Sequence, residues 1–303
     1  MSNNGMGAWL LDFGIGGTVG GITKTLTAPI ERVKLLIQTQ DANPKIISGE
    51  VERYKGMGDC FRRVTAEQGF AAFWRGNGAN VMRYFPQQAF NLSFKDTIKK
   101  MFPKYDARTQ FWGFFGVNLA SAGLGAALSL TICYPLDFAR TRLASDVGGK
   151  EKTFNGILDC LKKTSAAQGP AAIYNGFGAS VAGIVVYRGL QLGLFDTIMG
   201  LNPYQKDMGI KGFVSGFFAA QIAGISARPF NYPFDTVRRR IQMESEKPME
   251  QRLYKGTFDC AKVILQKEGL AGMYKGMLAD IVRGGFAAMV PLIYQKIKDG
   301  MAI

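Results

Sequence analysis

Long apolar stretches separated by short polar ones run along the whole chain, and charged residues interrupt most of them. Residues 110–136 form an uncharged apolar run long enough to cross a lipid bilayer by itself. The other stretches are interrupted by cations at Lys24, Arg83, Arg188 and Arg283. The apolar pattern predicts six long helices, near 9–38, 76–100, 110–144, 177–199, 210–242 and 276–299. Shorter amphipathic helices are predicted near 55–67, 155–167 and 255–267.

The interrupting polar residues share helix faces. Lys24, Glu31 and Gln38 follow one another at intervals of seven residues, which places them along one side of the first helix. A second stripe comprises Asn80, Arg83, Gln87 and Asn91. A charge at the centre of a bilayer costs about 2.5–3.5 kcal/mol on insertion scales, so charged faces there are expected to line a water-filled cavity. Runs of small residues at 16–21 and 120–125 favour this all-α membrane bundle over the alternative, a soluble helical core.

One sequence motif occurs three times. The pattern P-x-[DE]-x-x-[KR] occupies residues 29–34, 135–140 and 233–238. An aromatic-x-Gly element follows each copy, at 54–56, 154–156 and 254–256. A period of about one hundred residues is too long for a solenoid repeat. It predicts a single domain over residues 1–303, made of three helix hairpins around a common axis, with repeats at approximately 8–102, 110–201 and 210–300.

Composition limits the function classes. The formal net charge of +14 favours a polyanionic partner such as a phosphorylated solute, anionic lipid or nucleic acid, although a solvated basic surface has the same composition. The chain has no His, which removes the commonest general base and metal ligand. The sequence contains no nucleophile–base pair, metal-binding cluster or phosphate-binding loop motif. An enzyme and a bound metal are therefore not expected. A soluble nucleic-acid-binding protein would explain the positive charge but not the three repeated, kinked helices.

Each motif copy begins with a proline inside a predicted helix. Proline removes a backbone hydrogen bond and bends the helix axis, so three helix ends are expected to converge on one side of the bundle. In a ring of three, the acid of each copy faces the base of the next. The expected pairs are Glu31 with Arg140, Asp137 with Arg238, and Asp235 with Lys34. Surface salt bridges worth up to about 1 kcal/mol each are the alternative, but threefold recurrence beside a kink favours a closable ring.

The tripled motif, together with Trp74-Arg75-Gly76 and its counterparts at 174–176 and 274–276, resembles the mitochondrial carrier family over nearly the whole chain. The resemblance implies six transmembrane helices in three pseudo-threefold repeats around a central cavity. It implies that the ring is a gate on the matrix side, braced by Gln38, and that Gln242 is a second brace. The residues of this gate are Glu31, Lys34, Gln38, Asp137, Arg140, Asp235 and Arg238.

The family closes the opposite, cytoplasmic side with the pattern [FY]-[DE]-x-x-[KR] on the even-numbered helices. The matching positions hold Asp96, Lys99, Asp196, Gln295 and Lys298. Met199 stands where the second base belongs, and Gln295 stands where the third acid belongs. The resemblance therefore implies one ion pair, Asp196–Lys298, and one weaker hydrogen bond, Gln295–Lys99, so this gate is expected to be the thinner one.

A basic run near the end of the fifth long helix resembles the signature of the adenine-nucleotide branch of the family. It consists of Arg238, Arg239, Arg240, Ile241, Gln242 and Met243. Residues 29–36, 74–77, 83–86 and 138–144 are also similar to that branch. The resemblance implies antiport of ADP and ATP across the mitochondrial inner membrane by alternating access. It places the phosphates at Lys24, Arg83 and Arg283, and the adenine at Gly183, Ile184 and Tyr187, with Asn91 and Arg188 nearby.

Six glycines stand at predicted helix starts: Gly56, Gly76, Gly156, Gly176, Gly256 and Gly276. Free backbone N–H groups at such starts suit phosphate, and in the family they bind cardiolipin between neighbouring repeats. A simple turn glycine explains the same positions equally well. Structural cardiolipin is thus the one lipid partner that the resemblance implies, and no other cofactor is expected.

Several positions depart from the pattern of the family or of its adenine-nucleotide branch: Gln191, Asn231, Ile241, Gln242, the pair Arg228-Pro229, Asn175, Gln68 and Gln168. They leave two alternatives open. The chain could be an accessory subunit of an inner-membrane respiratory assembly with weakened or lost transport, or a carrier of another phosphorylated anion. In the main interpretation it is a monomeric transporter of ADP and ATP.

Overall fold

The computed structural model describes residues 3–103, 105, 110–147, 153–204, 210–245 and 247–287, and all regular secondary structure in these ranges is helical. In chain order the helices are α1 (Asn3–Thr39), α2 (Pro44–Ile47), α3 (Met57–Gln68), α4 (Asn77–Met101), α5 (Phe111–Ala144), α6 (Ile157–Gln168), α7 (Phe177–Gly200), α8 (Ile210–Met243) and α9 (Thr257–Met273). A helix over 277–287, α10, is the last described element.

Apart from the short helix α2, which was not predicted, the helices lie where the apolar pattern predicts them, with differences at their ends. Helix α1 begins at Asn3, earlier than the predicted residue 9. Helix α9 includes a short stretch beyond its predicted end. The chain bends at Gly269, whose φ of 66° is non-helical, and helical backbone then resumes as far as Met273. Two 3-10 turns, Phe70–Trp74 and Pro170–Tyr174, were not predicted. The predicted helix near 276–299 is described only as far as residue 287.

The three motif copies have the same local structure. A proline lies inside each of α1, α5 and α8, namely Pro29, Pro135 and Pro233. The short helices α3, α6 and α9 each bury one cysteine in an apolar cluster that includes residues of the kinked helix, namely Cys60, Cys160 and Cys260. Burial raises the pKa of Cys60 and of Cys260 to about 12, so both thiols stay protonated at neutral pH.

Apolar side chains cover much of the outside of the long helices. Among the described residues, two segments are long and apolar enough to cross a membrane by length and composition, Trp112–Ala144 and Pro170–Gly200. Several large apolar side chains are exposed on α1, α5 and α8: Leu26, Trp112, Ile132, Phe218, Ile222 and Phe230. Exposed apolar surface of this extent needs a partner other than water, such as lipid.

Glycine is required at the residue before α4, α7 and α10. Gly76, Gly176 and Gly276 have φ angles of 83°, 83° and 84°, in the left-handed region that other residues rarely adopt. A Cβ atom at each position would lie 3.0 Å from a backbone carbonyl oxygen in the following repeat. These oxygens belong to Arg140, Arg238 and Lys34, respectively. Each glycine therefore lets two repeats approach closely. The backbone at Gly56, Gly156 and Gly256 is extended, and a Cβ there meets no atom within 4 Å.

Replacing Gly176 by alanine is expected to destabilise the protein. Left-handed φ costs an alanine about 1–2 kcal/mol, and its Cβ would press on the carbonyl oxygen of Arg238. Gly178→Ala is the matched control, because Gly178 lies within α7 and a Cβ there meets no atom within 4 Å. Thermal unfolding should show a lower midpoint for Gly176→Ala and an equal or higher one for Gly178→Ala. Equal midpoints for the two variants would contradict the packing argument.

Candidate ion-pair ring and cationic site

Three ion pairs join the three motif copies head to tail. Arg140 contacts Glu31, and Arg238 contacts Asp137. Lys34 Nζ lies 2.8 Å from Asp235 Oδ2. The structure thus brings together the three pairs that the motif predicts, and none of the six side chains is more than 14% exposed. These residues are called the ion-pair ring below: Glu31, Lys34, Asp137, Arg140, Asp235 and Arg238.

The two predicted glutamine braces differ in their contacts. Gln38 donates from Nε2 to Asp235 Oδ2 at 3.3 Å and to the Thr236 hydroxyl at 3.0 Å, directly beside the ring. Gln242 donates to the Tyr134 hydroxyl at 3.0 Å instead of to a ring carboxylate. The reason is that the aromatic side chain of Tyr134 occupies the space beside Arg238, whose guanidinium lies 5.8 Å from the centroid of the phenol group. Gln242 therefore contacts the ion-pair ring indirectly, through Tyr134 and through Arg239, whose Nη1 donates to Gln242 Oε1 at 3.5 Å.

Arg239 links two acids of the ion-pair ring, a contact that the motif does not reveal. Its Nη1 lies 3.4 Å from Asp137 Oδ2, and its Nε lies 3.4 Å from Asp235 Oδ1. It also donates to the Thr141 hydroxyl. The motif assigns one base to each acid, whereas Arg239 is an additional cation that reaches both.

The three cations expected to hold phosphate lie close to the ring. Arg83 donates from Nη1 to Gln87 Oε1 at 2.6 Å and lies 3.7 Å from Asp137 Oδ1. Arg283 Nη2 lies 3.1 Å from Asp280 Oδ1. Lys24 has no carboxylate within 4.0 Å among the described residues, although it is near enough to Arg83 and Arg283 for mutual repulsion. Lys24, Arg83 and Arg283 are called the cationic site below.

Asp280 lies between the cationic site and the ion-pair ring. Its Oδ1 is 3.2 Å from Lys34 Nζ as well as 3.1 Å from Arg283 Nη2. Its Oδ2 contacts Arg228. Only 6% of Asp280 is exposed. No sequence pattern marks this residue, because Asp280 lies outside every copy of the motif.

A family model described as "Mitochondrial carrier protein" matches the chain three times, over residues 7–106, 111–204 and 210–302. Together the three matches cover almost the whole chain, and each contains one motif copy. The chain belongs to the mitochondrial carrier family.

Individual members of the family are similar over most of their length. The "ADP,ATP carrier protein" of Parachlorella kessleri is 54% identical over 292 residues, which is 96% of this chain and 85% of the relative. "ADP/ATP translocase 4" of Homo sapiens is 48% identical over 94% of this chain and 89% of its own length. "ADP/ATP translocase 3" of Bos taurus is 47% identical over 95% of this chain and 96% of its own length.

The three arginines of the carrier's basic run point to different partners. Arg238 contacts Asp137 of the ring, Arg239 lies between Asp137 and Asp235, and Arg240 contacts Glu268. Successive side chains of a helix are about 100° apart around its axis, so the three arginines face different directions. Met243 is buried and its carbonyl oxygen accepts a hydrogen bond from Arg142. Ile241 packs partly buried against the cluster around Cys260. The run therefore joins repeats in this structure.

An outer set of charges joins the third repeat to the first. Glu268 accepts hydrogen bonds from Arg240 and Lys275, and Lys275 Nζ lies 2.6 Å from Asp41 Oδ2. Burial alone would raise the pKa of Glu268, but the two cations outweigh it and lower that pKa to about 2. Glu268 therefore stays ionised at neutral pH and holds both cations.

The residues expected to surround adenine are spread over the contact between α7 and α8. A Cβ on Gly183 would lie 2.6 Å from Asn231 Oδ1, so a glycine is needed where the two helices meet. Arg188 is exposed and donates to Gln191 Oε1 at 3.3 Å. Ile184 and Tyr187 are half-buried. The side chain of Asn91 lies outside the described residues.

The predicted cytoplasmic gate is mostly outside the part of the chain that the structure describes. This applies to the side chains of Asp96 and Lys99, and to Gln295 and Lys298 as whole residues. Asp196 is exposed on α7, and its predicted partner is one of the undescribed residues. The comparison between the two gates therefore stays a prediction.

Proposed function

We propose that this carrier exchanges ADP for ATP across the mitochondrial inner membrane by alternating access. The printed names of its relatives, "ADP,ATP carrier protein" and "ADP/ATP translocase", support this substrate pair. Six membrane-spanning helices in three repeats, with α1, α4, α5, α7 and α8 as the first five, form the transport path. The exposed apolar side chains on α1, α5 and α8 support a lipid-facing exterior.

The cationic site binds the phosphates. The observation that supports this proposal is the grouping of three cations: Lys24 is near enough to Arg83 and Arg283 for mutual repulsion, and it has no carboxylate within 4.0 Å among the described residues. Arginine offers planar paired donors to a phosphate, and lysine offers a mobile point charge. In a cavity with low-dielectric walls their field is focused on an incoming anion. Gly183, Ile184 and Tyr187 hold the adenine, with Asn91 and Arg188 nearby.

The ion-pair ring is the matrix gate, and it is closed in this conformation. Its three pairs tie the kinked ends of α1, α5 and α8 together, so the cationic site is reached from the opposite, cytoplasmic side. Asp96, Lys99, Asp196, Gln295 and Lys298 form the gate on that side. Gly56, Gly76, Gly156, Gly176, Gly256 and Gly276 hold cardiolipin at helix starts. Opening the matrix gate requires the three ion pairs to separate while the cytoplasmic gate closes.

Nucleotide exchange by the purified protein tests the proposal. The protein is reconstituted into liposomes that contain cardiolipin and are loaded with ATP, and the uptake of labelled ADP is measured. Uptake is expected to require internal nucleotide, because an antiporter returns only with a bound counter-substrate. Liposomes loaded with buffer alone are the control. A competition panel with AMP, inorganic phosphate and coenzyme A identifies another phosphorylated anion if that is the substrate.

The outcomes separate the remaining possibilities. Uptake that only a different phosphorylated anion supports would replace ADP and ATP as the substrates. Absence of uptake for the whole panel, together with stoichiometric comigration with a respiratory complex on native gels, would instead identify an accessory subunit.

A further inference from the structure

We propose that Asp280 is a specificity-determining carboxylate that competes with the nucleotide phosphates for Arg283 and Arg228 and transmits nucleotide binding to Lys34 of the ion-pair ring. The inference rests on the proposed function, since it assigns a role within the same site. In the absence of nucleotide, Asp280 acts as an internal counter-anion. When phosphates bind these two arginines, Asp280 keeps only its contact with Lys34. The ion pair between Lys34 and Asp235 is then weakened, and the gate loosens.

The contacts of Asp280 place it on both sites at once. Its Oδ1 lies 3.1 Å from Arg283 Nη2 and 3.2 Å from Lys34 Nζ, while its Oδ2 contacts Arg228. Lys34 Nζ is also 2.8 Å from Asp235 Oδ2. One lysine thus has two carboxylates, and only one of these belongs to the ion-pair ring. Any change in the charge around Asp280 therefore changes how Lys34 is shared.

Neutral residues occupy the equivalent positions of the other two repeats, where the third repeat has Asp280. Asp280 lies four residues after Gly276, and Asn80 and Ser180 occupy the same places after Gly76 and Gly176. Asn80 donates to Glu31 Oε2 at 2.9 Å, so this position already contacts the ring in the first repeat. Neutral residues thus suffice at this position in two of the three repeats. The carboxylate in the third repeat pairs with two cations outside the ion-pair ring, Arg228 and Arg283.

Arg228 completes the pairing with Asp280. Its side chain crosses from α8 to α10 and lies against Gly284, where a Cβ would be 3.0 Å from Nη2. The glycine leaves room for the guanidinium. Arg228 directly precedes Pro229, the second proline of α8 besides Pro233. Arg228 is thereby held next to Arg283, and Asp280 neutralises only part of their charge.

Binding of a nucleotide is expected to change the contacts of Asp280 in a defined order. A nucleotide with several negative charges offers Arg283 and Arg228 more phosphate oxygens than a single carboxylate does. Once these arginines move to phosphate, the negative charge of Asp280 is compensated by Lys34 alone. Lys34 then binds Asp235 less strongly, and the third ion pair of the ring is weakened. Only an anion charged enough to displace Asp280 opens the gate, which selects for polyphosphates.

Replacing Asp280 by asparagine tests the proposal in reconstituted liposomes that exchange ADP for ATP. The apparent KM for external ADP is expected to fall about fivefold, because a competitor of the strength of a weak ion pair is removed. The maximal exchange rate is expected to fall as well, because binding no longer loosens the ring. A purely structural role would lower thermal stability without lowering KM. Asp280→Glu, which keeps the charge, should retain most of the wild-type KM and rate.

The controls keep the outcomes separate. Glu50→Gln removes an exposed carboxylate and should leave both parameters unchanged. If Asp280→Asn does not fold, Arg228→Gln is tested instead. Without Arg228, Asp280 binds Arg283 more firmly, and the apparent KM for external ADP should rise. An unchanged or higher KM in Asp280→Asn, or an unchanged or lower KM in Arg228→Gln, overturns the proposal while leaving nucleotide exchange intact. Absence of exchange by the wild-type protein overturns the proposed function and this inference together.

Discussion

Replacing Arg83 or Arg283 by alanine is expected to weaken nucleotide binding at least tenfold. Each side chain is at most 16% exposed and is expected to supply a charge-assisted contact to phosphate, which is worth about 1.5–3 kcal/mol. A loss of about 1.4 kcal/mol corresponds to a factor of ten in the dissociation constant. Titration calorimetry with ADP measures the constant, and the nucleotide-dependent rise in the unfolding midpoint gives an independent value.

The fold should tolerate both substitutions, which makes the binding measurement interpretable. Without Arg83, Asp137 keeps Arg238 and Arg239, and without Arg283, Asp280 keeps Lys34 and Arg228. Arg62→Ala is the matched control, because its side chain is 81% exposed and lies on α3. Unchanged nucleotide binding in both Arg83→Ala and Arg283→Ala would remove the cationic site as the phosphate site.

Replacing Asp137 by asparagine is expected to destabilise the protein more than any other single change to the ion-pair ring. The carboxylate is 1% exposed and faces Arg238, Arg239 at 3.4 Å and Arg83 at 3.7 Å. Removing one partner of a buried ion pair costs about 3–5 kcal/mol, because the remaining charge is left uncompensated. Among the described residues, Arg238 has no other carboxylate within 4.0 Å. Thermal and denaturant unfolding in the same detergent measure the loss.

Asp235→Asn provides the comparison within the ring. Its partner Lys34 keeps a second carboxylate, Asp280, at 3.2 Å, so less charge is left unpaired and the destabilisation should be smaller. Glu67→Gln serves as the surface control, since its ion pair with Arg63 is partly exposed and worth at most about 1 kcal/mol. If Asp235→Asn destabilises the protein as much as Asp137→Asn does, the second carboxylate of Lys34 gives no protection.

The acids and bases of the ring could be predicted from the sequence because each sits at a fixed distance from a proline in a tripled motif. A kinked helix presents those positions in the same direction each time, and cyclic order then leaves one partner for each acid. The resemblance to the family marks Lys24, Arg83 and Arg283, and charges within long apolar helices require a polar cavity. Their role in binding phosphate stays a prediction. Both predictions depend on local spacing and on symmetry.

Asp280 and Arg239 could not be predicted in this way. Asp280 departs from the threefold pattern, and its partners Arg228 and Lys34 are about fifty and about two hundred and fifty residues away in the chain. Arg239 is one of three successive arginines, and only the packing of α8 decides which of them faces which acid. The contact of Gln242 with Tyr134 has the same origin, since the aromatic side chain of Tyr134 lies beside Arg238, where Gln242 was expected to contact the ion-pair ring.

The sequence by itself determined the helices, the three repeats and the pairing order of the ring, because helical periodicity, prolines and repeated motifs act over short distances or recur by symmetry. Tertiary structure alone decided which contacts depart from that symmetry. Packing between repeats required the left-handed Gly76, Gly176 and Gly276. It also gave Lys34 two carboxylates and placed Asp280 between the ring and the cationic site. Contacts of this kind depend on distances of a few ångströms between distant segments, and spacing along a chain carries no information about them.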